Sequence, residues 1–232
     1  MDFKKVQNVI FPKTGDRKKY DDVSRGYHLI MGVFEIIPNL EAIKLADIRK
    51  GEKILDIAFG TGWVLERLIN KVDGGTVYGI DFSPRMHNVT WERLKKTGLE
   101  EKADLVLGNV LDMPYKENTF DVVFGSFILD LLKEKDMPVL LQEIRRVLKP
   151  DGRCVLTTMT KEGEGLLKAG RYLYEIVYPF WPTVLGYRPS SRPIYLSPLV
   201  EKNGFRIIRR RITRTKMFPF PVEIVVGKVS EK

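Results

Sequence analysis

Residues 54–68 read ILDIAFGTGWVLERL. An apolar run of strand length breaks at Gly60-Thr61-Gly62, and apolar residues then resume at helical spacing. A buried strand that turns on glycine into a helix brings a ligand close to the backbone, because glycine has no Cβ to keep it away. It also aims the free N–H groups and the positive dipole end of the helix at that ligand. The rest of the middle region repeats the alternation. Strand patterns are predicted over 52–58, 75–81, 103–109, 119–127 and 153–160, with a helix over 62–71 after the first. Ser83 suits an N-cap, Pro84 the first helical position and Gly98 the end of the second helix, while DMPVLLQEIRRVLKPDG reads as a helix that stops at Pro150 and Gly152. Strands separated by helices imply right-handed crossovers and a parallel sheet covered on both faces.

After residue 160 the pattern changes. Residues 161–196 are aromatic and punctuated by proline; SPLVEKNG then reads as a short helix, followed by the strand-like runs FRIIRRRITRTKM and FPVEIVVGKV. With only FPFP between them, these two runs should pair as an antiparallel hairpin. The expected fold is therefore α/β and Rossmann-like: a mostly parallel seven-stranded sheet closed by a C-terminal antiparallel hairpin, with helices on both faces. One domain is expected over 1–232: an N-terminal helical cap (1–49), a ligand-binding core (50–160), an insert (161–196) and a C-terminal helix and hairpin (197–232).

Composition limits the partners. Lys and Arg number 39 against 30 Asp and Glu, a net charge of +9 that favours anionic partners: nucleic acid, anionic lipid or an acidic small molecule. The cations are scattered, apart from clusters in 205–217 and in the first twenty residues, so a merely solvated basic face competes with each of those readings. A single cysteine, Cys154, excludes an internal disulfide and lies in an apolar run, as a buried small hydrophobe does. His28 and His87 lack metal-ligand spacing, and no metal is expected. No apolar run reaches membrane-spanning length, and the first residues lack the apolar centre of a secretory signal, so a cytoplasmic protein is expected.

The glycine turn admits several ligands. A dinucleotide site would need a third glycine at position 65, which is Leu65, and no Gly-Lys-Ser/Thr follows to make a P-loop. A nucleoside with an amino-acid tail suits it better. Asp81 ends the second strand about twenty residues beyond Gly62, where a carboxylate accepts hydrogen bonds from ribose hydroxyls. Phe82 beside it can lie on a base.

A third stretch, GNVLDMPYKENTFDVV (108–123), sets Asn109-Val110 before Met113-Pro114-Tyr115. With Asp56-Ile57-Ala58-Phe59-Gly60-Thr61-Gly62, Asp81, Ser126-Phe127 and VLKPDGRCVL, this stretch resembles the ubiquinone/menaquinone-biosynthesis type of class I S-adenosylmethionine-dependent methyltransferase over roughly residues 50–160. The resemblance implies S-adenosylmethionine as cofactor. It implies that Ala58, Gly60, Thr61 and Gly62 line the methionine part, and that Asp56 fixes the loop and the methionine ammonium. Asp81 would hold the ribose, with Phe82 on the adenine face. Asn109 would reach the adenine amino group, the Val110 N–H a ring nitrogen, and Ser126 would border the methionine end. The quinone enzymes finish in His-Arg-Gly-Tyr, whereas this chain ends FPFPVEIVVGKVSEK, so the likeness leaves the acceptor open.

In this fold the acceptor lies under the N-terminal segment and the insert after strand five. Residues 20–40 carry apolar positions at near-helical spacing, with Tyr20 and Tyr27 as polar contacts to an acceptor, and 169–187 are rich in Tyr, Phe and Trp. Amphipathic helices covering the sheet would look the same. The expectation is methyl transfer to a small amphiphilic acceptor, such as a phospholipid amine head group or a quinone precursor, with peripheral contact to an anionic membrane. No catalytic base is assigned. The alternatives are an RNA methyltransferase, against which stand the absent Asn/Asp-Pro-Pro-Tyr/Phe motif and RNA-binding module, and a non-catalytic cofactor-binding scaffold. No nucleic-acid partner is expected.

Overall fold

The computed structural model describes residues 34–184 and 192–230, the side chains of 177–184 excepted. Seven strands form one sheet: β1 (Ile54–Ile57), β2 (Val77–Asp81), β3 (Ala103–Leu107), β4 (Phe120–Ser126), β5 (Leu148–Met159), β6 (Phe205–Arg214) and β7 (Pro221–Val229). Their order is β3-β2-β1-β4-β5-β7-β6. β1 to β5 run parallel, and β7 enters antiparallel between β5 and β6. The expected sheet and C-terminal hairpin are both present.

The α-helices among the described residues are α1 (Ile36–Leu45), α2 (Trp63–Val72), α3 (Pro84–Thr97), α4 (Met137–Val147), α5 (Leu166–Val184) and α6 (Leu196–Lys202). They divide the core. Leu55, Ile57, Phe120 and Val123 face α4 and α6 in one apolar cluster, while Ile54, Val122, Phe124 and Val155 face α1 and α2 in another. The alternation follows from the two-residue period of a strand. It turns Asp56 to the side of α1 and α2.

α3 begins and ends as its sequence requires. The Ser83 Oγ accepts from the Met86 N–H at 3.3 Å, and Gly98 closes the helix at φ +66°. Cys154 is fully buried, and burial pushes its thiol up to about 12.

One expectation is corrected. The helix expected to stop at Pro150 and Gly152 ends at Val147, and β5 starts at Leu148 rather than at 153. The last turn of α4 hands its carbonyls sideways: Arg146 and Val147 oxygens accept from the N–H groups of Asn118 and Thr119. Leu148 then pairs with Phe120 before a register shift. The proline-punctuated insert contains α5, whose buried Gly170 is pressed on the β6–β7 connection. A Cβ there would lie 2.0 Å from the Pro219 oxygen.

α1 spans the sheet lengthwise. Its C-terminal carbonyls, Ala46 O and the following Asp47 O, are held by the Arg153 guanidinium at 2.5 and 2.7 Å near the start of the β5 pairing. Its N-terminal half lies over the ends of β4 and β5, where Asn39 meets Ser126.

Candidate functional site

The site gathers at the C-terminal ends of β1, β2 and β4, where an open parallel sheet leaves a crevice. Ala58 leaves β1 with φ +53°, and Gly60 and Gly62 follow with φ +55° and +71°. Glycine adopts that region freely; alanine there is strained, as residues held at functional sites often are. Phe127, directly after β4, is a second non-glycine residue with positive φ, at +53°. Gly62 is fixed by space as well as by φ, since a Cβ would lie 2.5 Å from Thr90 Cγ2.

Asp81 ties the two loops together. Its Oδ2 accepts from the Gly60 N–H and its Oδ1 from the Ser83 N–H, both at 2.9 Å. Burial raises its pKa, against the pull of the Ser83, Gly60 and Phe82 N–H groups and of His87. Asp56 lies deeper, 2% exposed, and its Oδ2 has no hydrogen-bond partner among the described residues. Burial lifts its pKa well above the usual carboxylate range, and the charge of Asp81 pushes the same way. Among the described residues, neither carboxylate accepts a bond from a lysine or arginine.

Such a pair selects the charge of a ligand. A pyrophosphate laid against the loop would meet two desolvated carboxylates and be repelled. A cationic ligand would supply the charge that Asp56 lacks, because a buried unpaired carboxylate costs several kcal/mol. S-adenosylmethionine carries a sulfonium and an ammonium, so the orphaned Asp56 oxygen and the open backbone at Gly60 and Gly62 both fit it. The packing behind the loop agrees. Leu65, where a dinucleotide fold would have its third glycine, is fully buried against Gly79 of β2, whose added Cβ would lie 2.7 Å from Leu65 Cδ1. The room for close packing is made in the strand instead of the helix.

On the far side of β2, Asn109 turns its Oδ1 inward to the Leu111 N–H at 3.0 Å, shaping the loop after β3. Val110 is 4% exposed and belongs to the core. Arg146 of α4 fixes the Met113-Pro114-Tyr115 step through the oxygens of Tyr115 and Met113 at 2.6 and 2.9 Å, while the Glu143 Oε2 accepts from the Met113 N–H. Phe82 and Thr61 lie partly exposed on their loops. Ser126 ends β4 and donates to the Asn39 Oδ1 at 2.9 Å. Asp56, Ala58, Gly60, Thr61, Gly62, Asp81, Phe82, Asn109, Val110 and Ser126 thus all lie at strand ends or on the loops that follow them. Tyr20 and Tyr27 lie outside the described residues.

A family model described as a methyltransferase domain matches residues 54–152. The demethylmenaquinone methyltransferase of Bacillus pumilus is 36% identical over 136 residues, 58% of this chain and 56% of that protein. A 2-phytyl-1,4-naphtoquinone methyltransferase of Nostoc punctiforme is 30% identical over 184 residues, 78% of this chain and 77% of that protein. The chain belongs to the class I S-adenosylmethionine-dependent methyltransferases.

The chain covers only 48–60% of the length of the demethylmenaquinone methyltransferases from Bacillus and Lactobacillus that it matches. A solved S-adenosylmethionine-dependent methyltransferase from Aquifex aeolicus superposes with a TM-score of 0.60 over 99% of both chains at 21% identity, a likeness of fold. This methyltransferase also uses residues that the sequence reading passed over. On α3, Thr90 Oγ1 donates to Gly60 O at 2.9 Å, and one turn on, Arg93 Nε donates to Thr61 O at 2.8 Å. These bonds hold the loop by its carbonyls, while the Gly60 N–H is taken by Asp81 and the Gly62 N–H by the Phe59 oxygen. Thr90 and Arg93 carry no local motif; only the crossover that lays α3 beside α2 gives them this task. Asn39 did have a signal, as a polar side chain on the buried face of an apolar helix. Glu35, one turn before Asn39 on α1, and Asp130, in the turn after β4, carry no local motif.

Proposed function

We propose that the methyltransferase binds S-adenosylmethionine across the ends of β1, β2 and β3 and transfers its methyl group to a small amphiphilic acceptor with a quinone-type ring. The observation that carries this reading is the buried carboxyl pair of Asp56 and Asp81 behind a loop with positive φ at Ala58, Gly60 and Gly62. In it, Asp81 takes the ribose hydroxyls on its remaining lone pairs and Asp56 takes the methionine ammonium. Gly60, Thr61 and Gly62 line the methionine part, with Ser126 at its end. Phe82 lies on the adenine face. The adenine amino group uses the second lone pair of the Asn109 Oδ1, beside the Val110 N–H. When bound, the cofactor supplies a methyl group already activated by its sulfonium. The chain's own contribution is to align the acceptor and exclude water, which accounts for roughly 7–11 kcal/mol of barrier lowering in well-oriented reactions.

Relatives named for naphthoquinones support a ring acceptor over a phospholipid amine. Supply from a membrane surface is part of the proposal. An apolar acceptor partitions into lipid, and exposed apolar side chains of α5 and of the β6–β7 connection lie at the same end of the sheet as the site. The reading keeps one domain, with residues 1–49 and 161–196 as the acceptor side.

Calorimetry and labelled-methyl transfer test it together. Asp81→Ala is expected to weaken S-adenosylmethionine binding by about 3 kcal/mol, roughly a hundredfold. The wild-type protein is expected to label reduced 2-phytyl-1,4-naphthoquinone and not phosphatidylethanolamine. Unchanged affinity would remove Asp81 from the ribose, and label in the amine alone would replace the acceptor.

A further inference from the structure

Methylation of a quinol ring carbon or hydroxyl releases a proton, and the cofactor loop has no group placed to take it. α1 does. Asn39 is pinned to Ser126 at the end of β4, and on a helix the residue four earlier lies on the same face, one turn further out. That residue is Glu35, whose carbonyl accepts from the Asn39 N–H at 3.0 Å. Its neighbour Phe34 is held on the other side: Phe34 O accepts from the Lys216 N–H at 3.0 Å, and its ring stacks on Phe218 at 5.8 Å. Glu35 is thereby fixed past the strand ends. Asp130 is 1% exposed in the 3₁₀ turn after β4, close enough for its charge to act on Glu35.

An orphan marks the same place. Thr157 is the cross-strand partner of Ser126, is 2% exposed, and its Oγ1 has no hydrogen-bond partner among the described residues. Strand alternation turns it, like Ser126, to the face that α1 covers. A buried hydroxyl without a partner is rare and calls for a ligand atom.

We infer that Glu35, paired with Asp130, is the general base that accepts the acceptor's proton during methyl transfer. This rests on the proposed methyl transfer to a quinol. In balance, the acceptor gives one hydrogen as a proton to the Glu35 carboxylate. The electron pair so released forms the new bond to the methyl group, and the pair of the broken carbon–sulfur bond stays on sulfur. The proton then leaves to solvent.

The electrostatics suit the task. Burial first, and the charge of Asp130 second, raise Glu35 to about 8. A base titrating near the working pH combines a useful ionised fraction with a strong pull on the proton. The other charged groups nearby are turned elsewhere. Arg192 directs its guanidinium to the Leu132 oxygen and Glu134, and Lys216 reaches α1 through its backbone.

Two measurements test the inference. With saturating S-adenosylmethionine and reduced 2-phytyl-1,4-naphthoquinone, wild-type turnover is expected to rise with pH and level off near 8. Glu35→Gln should lose at least a hundredfold in kcat and the pH dependence, with cofactor affinity by calorimetry within twofold of wild type. Glu35→Asp should recover part of both. The second measurement needs no acceptor and no cofactor: carboxyl-carbon NMR of the free protein should show Glu35 titrating near 8, and Asp130→Asn should move it down. Retained turnover in Glu35→Gln, or a Glu35 that titrates in the ordinary carboxylate range, overturns the assignment. A wild-type protein that binds no S-adenosylmethionine would instead sink the proposed function, while the titration still decides the pair.

Discussion

Two buried carboxyls stand behind the glycine loop of the proposed cofactor site, and a third, Glu35, makes the protein's stability depend on pH. Glu35 unfolded ionises near its ordinary 4.5, whereas folded it does so near 8. Below the lower value both states hold the proton, and the group leaves stability unchanged. Between the two values only unfolding frees the proton, so stability falls as pH rises, and the loss is complete above about 8. Asp56, raised by burial and by Asp81, acts in the same direction. Glu35→Gln, which cannot ionise, should therefore be more stable than wild type at pH 8.5 by about 2–4 kcal/mol and no more stable at pH 4. Urea denaturation at the two pH values measures this. Equal stabilities at pH 8.5 would show that Glu35 titrates without a penalty from its surroundings.

At the scale of elements, polar contacts between distant segments set the loops in place. Arg153 is 8% exposed and holds both Glu52 oxygens at 2.8 and 2.9 Å, together with the two carbonyls at the end of α1. A buried pair broken on one side leaves an uncompensated charge, so Arg153→Met should cost about 3–5 kcal/mol in chemical denaturation. The double variant Arg153→Met/Glu52→Leu should recover part of that. None of this was legible in the chain, because Glu52 and Arg153 are far apart in sequence and only strand order makes them neighbours. What was legible was local. Buried strands appeared as apolar runs, the Ser83-Pro84 start and Gly98 stop of α3 were signalled by their own caps, and the hairpin showed in two strand-like runs with almost nothing between them. The proline-rich insert concealed α5, and the start of β5 was concealed by a Lys-Pro-Asp-Gly run that reads as a turn. In the site, the residues proposed to touch the cofactor sat in motifs. Those that hold the motif from behind, Thr90 and Arg93, sat on an unremarkable helix.

For the whole molecule, the proposed function requires that a water-borne cofactor meet an apolar acceptor. α5 exposes Leu166, Tyr172, Leu173 and Ile176, and the β6–β7 connection exposes Met217 and Phe218. Gly170 lies against Pro219, so the two segments are in contact and their apolar side chains make one patch. Because β7 runs antiparallel to β5, with Val222 opposite Met159, the connection lies at the C-terminal ends of the parallel strands, beside the site. Exposed Lys161, Lys168, Arg214 and Lys216 surround the patch, and the acidic Glu175 on α5 is matched by Arg171. Among the described residues no helix is long and apolar enough to cross a membrane. Shallow apolar insertion combined with cations, each attracted to anionic lipid by about 1 kcal/mol, is the contact this geometry supports. Co-sedimentation with vesicles measures it. Binding should be strong to phosphatidylglycerol-containing vesicles at low salt, fall as salt rises, and be weak to phosphatidylcholine alone. Leu173→Glu/Ile176→Glu should abolish sedimentation while leaving S-adenosylmethionine affinity intact, and it should raise the KM for a vesicle-embedded quinol far more than for a detergent-dispersed one. If the double variant sediments as wild type does, the cations alone hold the protein to lipid and the apolar patch has another use. If neither protein sediments, the acceptor arrives from solution and the membrane has no part in its delivery.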